Sequence, residues 1–154
     1  MTPQLLQIDT KAVIVRAASV SEIIPLRHRI LRAGLPIEEA TFPGDDSPTT
    51  HHAAAFDNGN SICCATFVLN TWDNQPAWQL RGMATDAAWQ SRGLGAAVLS
   101  FAIALVREAS PVPLFWCNAR IGALSFYQRQ GWQIRSELFE IPTAGLHRKM
   151  TLRV

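Results

Sequence analysis

Apolar positions change their period several times along the chain, and those changes mark out the elements. Residues 13–16 form a short β-type run. Ile23, Ile24, Leu26, Ile30 and Leu31 then recur at roughly helical spacing, which predicts a helix over 20–32. Ser19 offers its N-cap, and Glu22 three residues later completes a capping box. Pro25 falls in the first turns, where a missing N–H costs least, and Gly34 and Pro36 stop the helix. Residues 33–50 show no period. They hold Gly34, Pro36, Pro43, Gly44 and Pro48 among Glu38, Glu39, Asp45 and Asp46. An irregular stretch of that length is usually functional, and it otherwise reads as a solvated acidic connector.

A meander follows. Residues 51–56 and 62–69 are strand-like, with the turn Asp57-Asn58-Gly59-Asn60 between them. A second turn at 72–76 leads to a third strand over 78–84. A helix is expected over 92–109, with Leu94, Val98, Phe101, Leu105 and Val106 on one face and Ser110-Pro111 at its end. Residues 114–117 make a compact apolar strand, 121–130 a short helix ended by Gly131, and 132–139 and 146–152 two last strands around a turn at 142–145. The order β-α-β-β-β-α-β-α-β-β predicts a mixed α/β (α+β) domain. Its sheet is mostly antiparallel, with at least one β-α-β crossover.

The 154 residues suit one domain, expected to span the whole chain, and 48% hydrophobic with 17% charged residues is a globular composition. Fourteen basic against twelve acidic residues, a net charge of +2, is too even to suggest a nucleic-acid partner. No apolar run reaches membrane-spanning length, and Met1–Thr10 lacks the basic start and apolar stretch of a secretory leader. Neither a membrane association nor a secretory route is therefore expected, and a reducing cytoplasmic location is. Three cysteines, Cys63, Cys64 and Cys117, are an odd count in apolar runs, which argues against a disulfide framework. The adjacent pairs His51-His52 and Cys63-Cys64 do not have metal-ligand spacing, so no metal site is expected.

The sharpest local signal is Gln90-Ser91-Arg92-Gly93-Leu94-Gly95-Ala96, which follows a strand and opens an amphipathic helix. Glycines at a helix N-terminus let backbone N–H groups approach an anion, with the helix dipole in support. Arg92 is a candidate further clamp on a phosphate. The full dinucleotide fingerprint is absent, because Val98 stands where its third glycine would, and no Gly-Lys-Ser/Thr of a P-loop occurs.

This loop, after a strand ending Leu80-Arg81-Gly82-Met83-Ala84-Thr85, resembles the acetyl-CoA loop of the GCN5-related N-acetyltransferases, the GNAT superfamily. Phe115-Trp116-Cys117-Asn118 resembles the family's next strand and its Asn. Ala123 through Trp132, with Phe126-Tyr127 and Gly131, resembles its closing segment, with Trp132 where Phe is commoner. The likeness spans essentially the whole chain. It implies an acyl-CoA-dependent N-acyltransferase that moves acetyl from acetyl-CoA to an amine through a tetrahedral intermediate. It also implies a splayed parallel strand pair, 78–84 and 114–117, that grips the pantetheine arm along Met83, Ala84 and Thr85. The pyrophosphate would lie on Gln90, Ser91, Arg92, Gly93, Leu94, Gly95 and Ala96, and Asn118 would meet the pantetheine or acyl region. Tyr127, the single Tyr of the chain, would protonate the departing thiolate, and a backbone N–H near Met83 would stabilise the oxyanion.

The resemblance supplies no general base. Gln79 and Arg81 stand where some relatives carry a carboxylate. His51, His52, His147 or an acid of the 38–46 segment acting through water are the candidates, with His52 and His147 also possible acceptor contacts. The 33–50 loop is expected to line the acceptor side, its acids favouring a cation. Cys117 could alternatively act as a nucleophile, which would give ping-pong kinetics. The reading from another class is a non-catalytic acyl-CoA-binding or interaction module. Edge pairing into a homodimer is expected by analogy alone.

Overall fold

In the computed structural model, which describes residues 1–154, the elements run β1 (Gln4–Ile8), β2 (Lys11–Ala17), α1 (Val20–Leu31), β3 (His51–Asp57), β4 (Asn60–Trp72), β5 (Gln75–Thr85), α2 (Leu94–Ala109), β6 (Leu114–Arg120), α3 (Leu124–Arg129), β7 (Gln133–Ile134), β8 (Phe139–Ile141) and β9 (Gly145–Arg153). The chain divides into two units, Met1–Val68 with Arg81–Pro111, and Leu69–Leu80 with Val112–Val154, so β4 and β5 each run from one into the other. No helix is long and apolar enough to cross a membrane.

In the first unit β1, β2, β3 and β4 pair antiparallel in chain order. The capping box forms: the Ser19 N–H donates to Glu22 Oε1 at 2.9 Å. Arg16 adds an ion pair at 2.6 Å, and that bond, with the one from Ser19, holds the Glu22 carboxyl down at about 2. Ile23 and Leu26 of α1 pack with Ala54, Phe56, Cys64 and Ala84, while α2 buries Leu94, Val98, Leu99, Phe101, Ala102 and Val106.

One position on the buried face of α1 is not apolar. Arg27 lies four residues after Ile23 and is fully buried. Its guanidinium donates to both carboxylate oxygens of Asp45, at 2.5 and 3.0 Å, and further to Ala40 O at 3.1 Å and Thr66 Oγ1 at 2.7 Å. Asp45 in turn accepts the Phe42 N–H at 2.7 Å. The acids of the 33–50 segment are therefore not one solvated group, as the sequence suggests. Asp45 is a core residue that fastens the segment to α1, helped by a 3₁₀ turn at Ile37–Ala40.

The same guanidinium dictates a glycine. Gly82 has φ +60 within β5, and a Cβ there would come within 2.7 Å of Arg27 Nε and 2.9 Å of the Phe42 ring. Both the dihedral and the space exclude a side chain.

In the second unit β6 pairs parallel with β5 at two positions only, Trp78↔Phe115 and Gln79↔Trp116. It pairs antiparallel with β9 along its full length, Leu114↔Arg153 through Arg120↔His147. β7 and β8 both join β9. Trp72 covers Ala77, Leu114 and Trp116.

Several boundaries differ from the sequence reading. β1 is an additional strand. β4 continues to Trp72, so its turn shrinks to Asp73-Asn74, both with positive φ. The second long helix begins at Leu94, because Gly93 takes a left-handed φ of +82 as its N-cap. β6 continues to Arg120, which places Asn118 inside the strand. The stretch 132–139 is not one strand but two short ones, β7 and the start of β8, separated by 135–138.

Asp45→Asn should destabilise the protein by about 3–5 kcal/mol, because the Arg27 charge stays buried with its partner neutralised. Urea unfolding checks this, and a loss below about 1 kcal/mol would mean that the pair does not carry the loop.

Candidate active site

The first unit contains a loop whose backbone geometry suits an anion. After β5 the chain makes a 3₁₀ turn at Ala87–Trp89, capped by the Asp86 carboxylate accepting from Ala88 N–H at 2.9 Å. Arg29 of α1 holds that carboxylate at 2.7 Å. Its hydrogen bonds with Ala88 and Arg29 keep the Asp86 carboxyl below its ordinary range. Ser91 and Gly93 then adopt φ of +62 and +82, which swings the loop open before α2. The N–H groups of the first turn, over Leu94, Gly95 and Ala96, have no partner within the helix. A Cβ on Gly93 would meet nothing within 4 Å, so open space lies in front of the glycine. The site fits a pyrophosphate on these grounds: unpaired donors, a helix N-terminus and room.

Two side chains of this loop are engaged within the unit. Gln90 Nε2 donates to Thr85 O at 3.3 Å. Arg92 pairs with the Asp9 carboxylate on the β1–β2 turn and lies 5.7 Å from the Trp89 ring centre. At 43% and 73% exposure that ion pair is weak, so it leaves the arginine able to turn to a phosphate. Met83 and Thr85 are half-buried and Ala84 is buried, just beyond the kink at Gly82.

The second unit holds Asn118, Cys117 and Tyr127. Asn118 Oδ1 accepts from Lys149 Nζ at 3.0 Å across the β6–β9 ladder, leaving Nδ2 as its donor. Tyr127 is buried on α3, 5.1 Å from the Phe126 ring and 5.5 Å from that of Trp132, with its carbonyl accepting the Trp132 N–H. Burial pushes the Cys117 thiol up to about 12, so it stays protonated at neutral pH and is a poor nucleophile. Cys63 and Cys64 are likewise raised by burial, to about 11 and 12.

The histidines separate by environment. His52 is buried and uses both ring nitrogens, Nδ1 with Thr66 Oγ1 at 2.7 Å and Nε2 with Asp45 O at 2.9 Å. In this arrangement it has no nitrogen left for an acceptor or its proton, so it belongs to the Arg27 network. His51 is half-buried. His147 is buried on β9, with Nδ1 on Gly145 O at 2.8 Å and its ring 6.0 Å from that of Phe139. Arg27 and Lys149 are the residues sequence reasoning missed. Arg27 could have been found as a charge on the apolar stripe of α1, whereas nothing local marks Lys149.

Comparison with known proteins bears on the family and the fold. The family model described as an acetyltransferase (GNAT) domain matches residues 48–134. The chain is 34% identical over 139 residues to the uncharacterized N-acetyltransferase YitI of Bacillus subtilis, covering 86% of this chain and 91% of that protein. Among solved structures, Escherichia coli ElaA superposes with a TM-score of 0.73 at 15% identity, over 90% of this chain and 98% of ElaA. An aminoglycoside 6'-N-acetyltransferase complexed with coenzyme A superposes with a TM-score of 0.72 at 10% identity, over 90% and 96% of the two chains.

His51 and His52 make stability depend on pH. Burial lowers the pKa of His52 and of His51, the latter aided by its neighbour His52. The folded state therefore keeps both neutral while the unfolded chain takes up protons near pH 6.5, so the unfolded state gains as pH falls. Unfolding free energy should be flat above about pH 7 and decline from about pH 6.5 downward. The decline should be shallower in His52→Gln. Equal slopes in both proteins over pH 5–7, measured by urea unfolding, would contradict this assignment.

Proposed function

The chain belongs to the GNAT acetyltransferase family, and on that footing we propose that residues 1–154 act as a single domain that transfers acetyl from acetyl-CoA directly to an amine. Acyl-CoA-dependent N-acyl transfer is the activity of that family. The observation that carries the finer reading is the opened loop before α2, where Ser91 and Gly93 turn the backbone aside and leave unpaired donors facing open space. Backbone over Ser91–Ala96 holds the pyrophosphate, and the strand end Met83–Thr85 takes the pantetheine amides as an added strand would.

In the chemical step the neutral amine attacks the thioester carbonyl carbon. A backbone N–H at Met83 donates to the developing oxyanion, and the Asn118 Nδ2 donor steadies the donor's acyl end. The intermediate collapses, its nitrogen loses a proton to water, the C–S bond breaks, and Tyr127 gives its own proton to the CoA thiolate. A phenol, protonated at neutral pH, suits that role, and bulk water restores the proton. Gly82 supports the geometry: its positive φ interrupts the regular strand one residue before Met83, as a bulge would.

Acetyl-CoA at about 100 times its Kd should raise the melting temperature by about 5–10 °C, and Gly93→Asp should abolish the shift by placing a carboxylate against the pyrophosphate. An unchanged melting curve with acetyl-CoA and longer acyl-CoAs would refute the donor assignment. A shift without CoA release from any amine would leave a binding module instead.

Tyr127→Phe should lower turnover by about 10²-fold with little change in CoA affinity, since the ring is retained. Unchanged turnover where chemistry is rate-limiting would reduce Tyr127 to packing.

A further inference from the structure

We propose that Lys149 recognises a carboxylate on the amine acceptor, so that the acceptor is an amine carrying an acid rather than a polyamine; this rests on the acyl-transfer reading above. Lys149 is a half-buried cation paired with no carboxylate. Its Nζ stands 4.9 Å from the Trp116 ring centre and 5.3 Å from that of Phe139, and donates once, to Asn118 Oδ1 at 3.0 Å. Its backbone N–H is pinned by Ser136 Oγ at 2.7 Å. An ammonium has three donors, so two remain beyond the one given to Asn118. Two ring faces steady the charge without cancelling it, and both backbone and side chain are held before any ligand arrives. The complement to such a group is an anion.

The surrounding strand face has the same sign. Paired residues of an antiparallel ladder point to one side, so Arg153, Thr151, Lys149 and His147 of β9 share a face with Leu114, Trp116, Asn118 and Arg120 of β6. That set contains no Asp or Glu. Farther along, Arg135 is oriented by two neutral partners, Thr151 Oγ1 at 2.9 Å and Gln133 Oε1 at 2.7 Å, and keeps its charge. With Arg153 it lines a cavity of about 480 Å³ in which Asp73 is the single carboxylate. The opposite expectation, a cationic acceptor drawn by the acidic loop, loses its central member, because Asp45 is spent on Arg27.

Lys149 also lies where selection matters. Its partner is Asn118, the residue placed at the acyl end of the donor. Binding Lys149 through Oδ1 leaves Nδ2 for the donor, so one side chain joins the anion contact to the reacting group.

The test compares matched acceptors by CoA release: α-amino acids, their amides, an aminophosphonate of similar size, and polyamines. The wild-type protein should favour the acid over its amide by at least about tenfold in kcat/KM. Lys149→Met should bring that ratio close to one, and Lys149→Arg should retain most of it. Lys149→Gln serves in place of the Met variant should the latter fail to fold. Equal use of acid and amide, a preference for polyamines, or an unchanged ratio in the folded Met or Gln variant would overturn the proposal. Preference for the aminophosphonate over the carboxylate would overturn its carboxylate assignment. No release with any amine, together with no thermal shift by acetyl-CoA, would overturn the acyl-transfer reading and this one with it.

Discussion

A buried guanidinium is the constraint from which much of the first unit follows. Arg27 sits on the apolar stripe of α1, and a charge there is tolerable only when it is paired; both terminal nitrogens of its guanidinium are bonded, while Nε has no partner. Pairing the terminal nitrogens brings Asp45 in from the long loop, Ala40 from the 3₁₀ turn and Thr66 from β4, while His52 fastens both Asp45 and Thr66. A segment rich in Gly and Pro is thereby held with only one short 3₁₀ turn of its own. The same guanidinium leaves no room for a side chain at residue 82. Glycine there permits the left-handed kink that precedes Met83, so a core ion pair shapes the strand end assigned to the acyl donor.

The two units contribute different chemistry. The first offers backbone donors in an opened loop and at a helix N-terminus, suited to phosphate and indifferent to what the acyl group is given to. The second carries Asn118 and Lys149 joined across a ladder, aromatic rings beside the ammonium, and a basic strand face, the side chains proposed above to meet the acceptor.

How much was legible in the sequence depended on whether a feature is local. The capping box, the Asp57–Asn60 turn, the glycine loop and the helix of α2 each declare themselves within a few residues, and each forms. β1 escaped because Gln4–Ile8 is a short, largely exposed edge strand whose adjacent leucines mask its alternation in the sequence. Its turn, Asp9-Thr10, lacks the glycine that marks most tight hairpins. The two short strands after Trp132 looked like one because pairing of only two residues leaves no period to read. Asp45 looked like a solvated acid because its partner lies 18 residues away, although an arginine among Ile23, Leu26 and Ile30 was a visible sign. Lys149 and Asn118 are 31 residues apart and meet only through strand register.

Direct transfer, as proposed, needs no protein-bound acyl group. The buried, protonated Cys117 supports it, as does the assignment of both donor and oxyanion contacts to groups that form no covalent bond. The most direct measurement is intact-mass analysis of the protein incubated with acetyl-CoA alone, paired with initial rates over a grid of acetyl-CoA and acceptor concentrations. Direct transfer gives an unmodified protein mass and intersecting double-reciprocal lines. An acetylated protein that passes its acyl group to the amine, together with parallel lines, would contradict it.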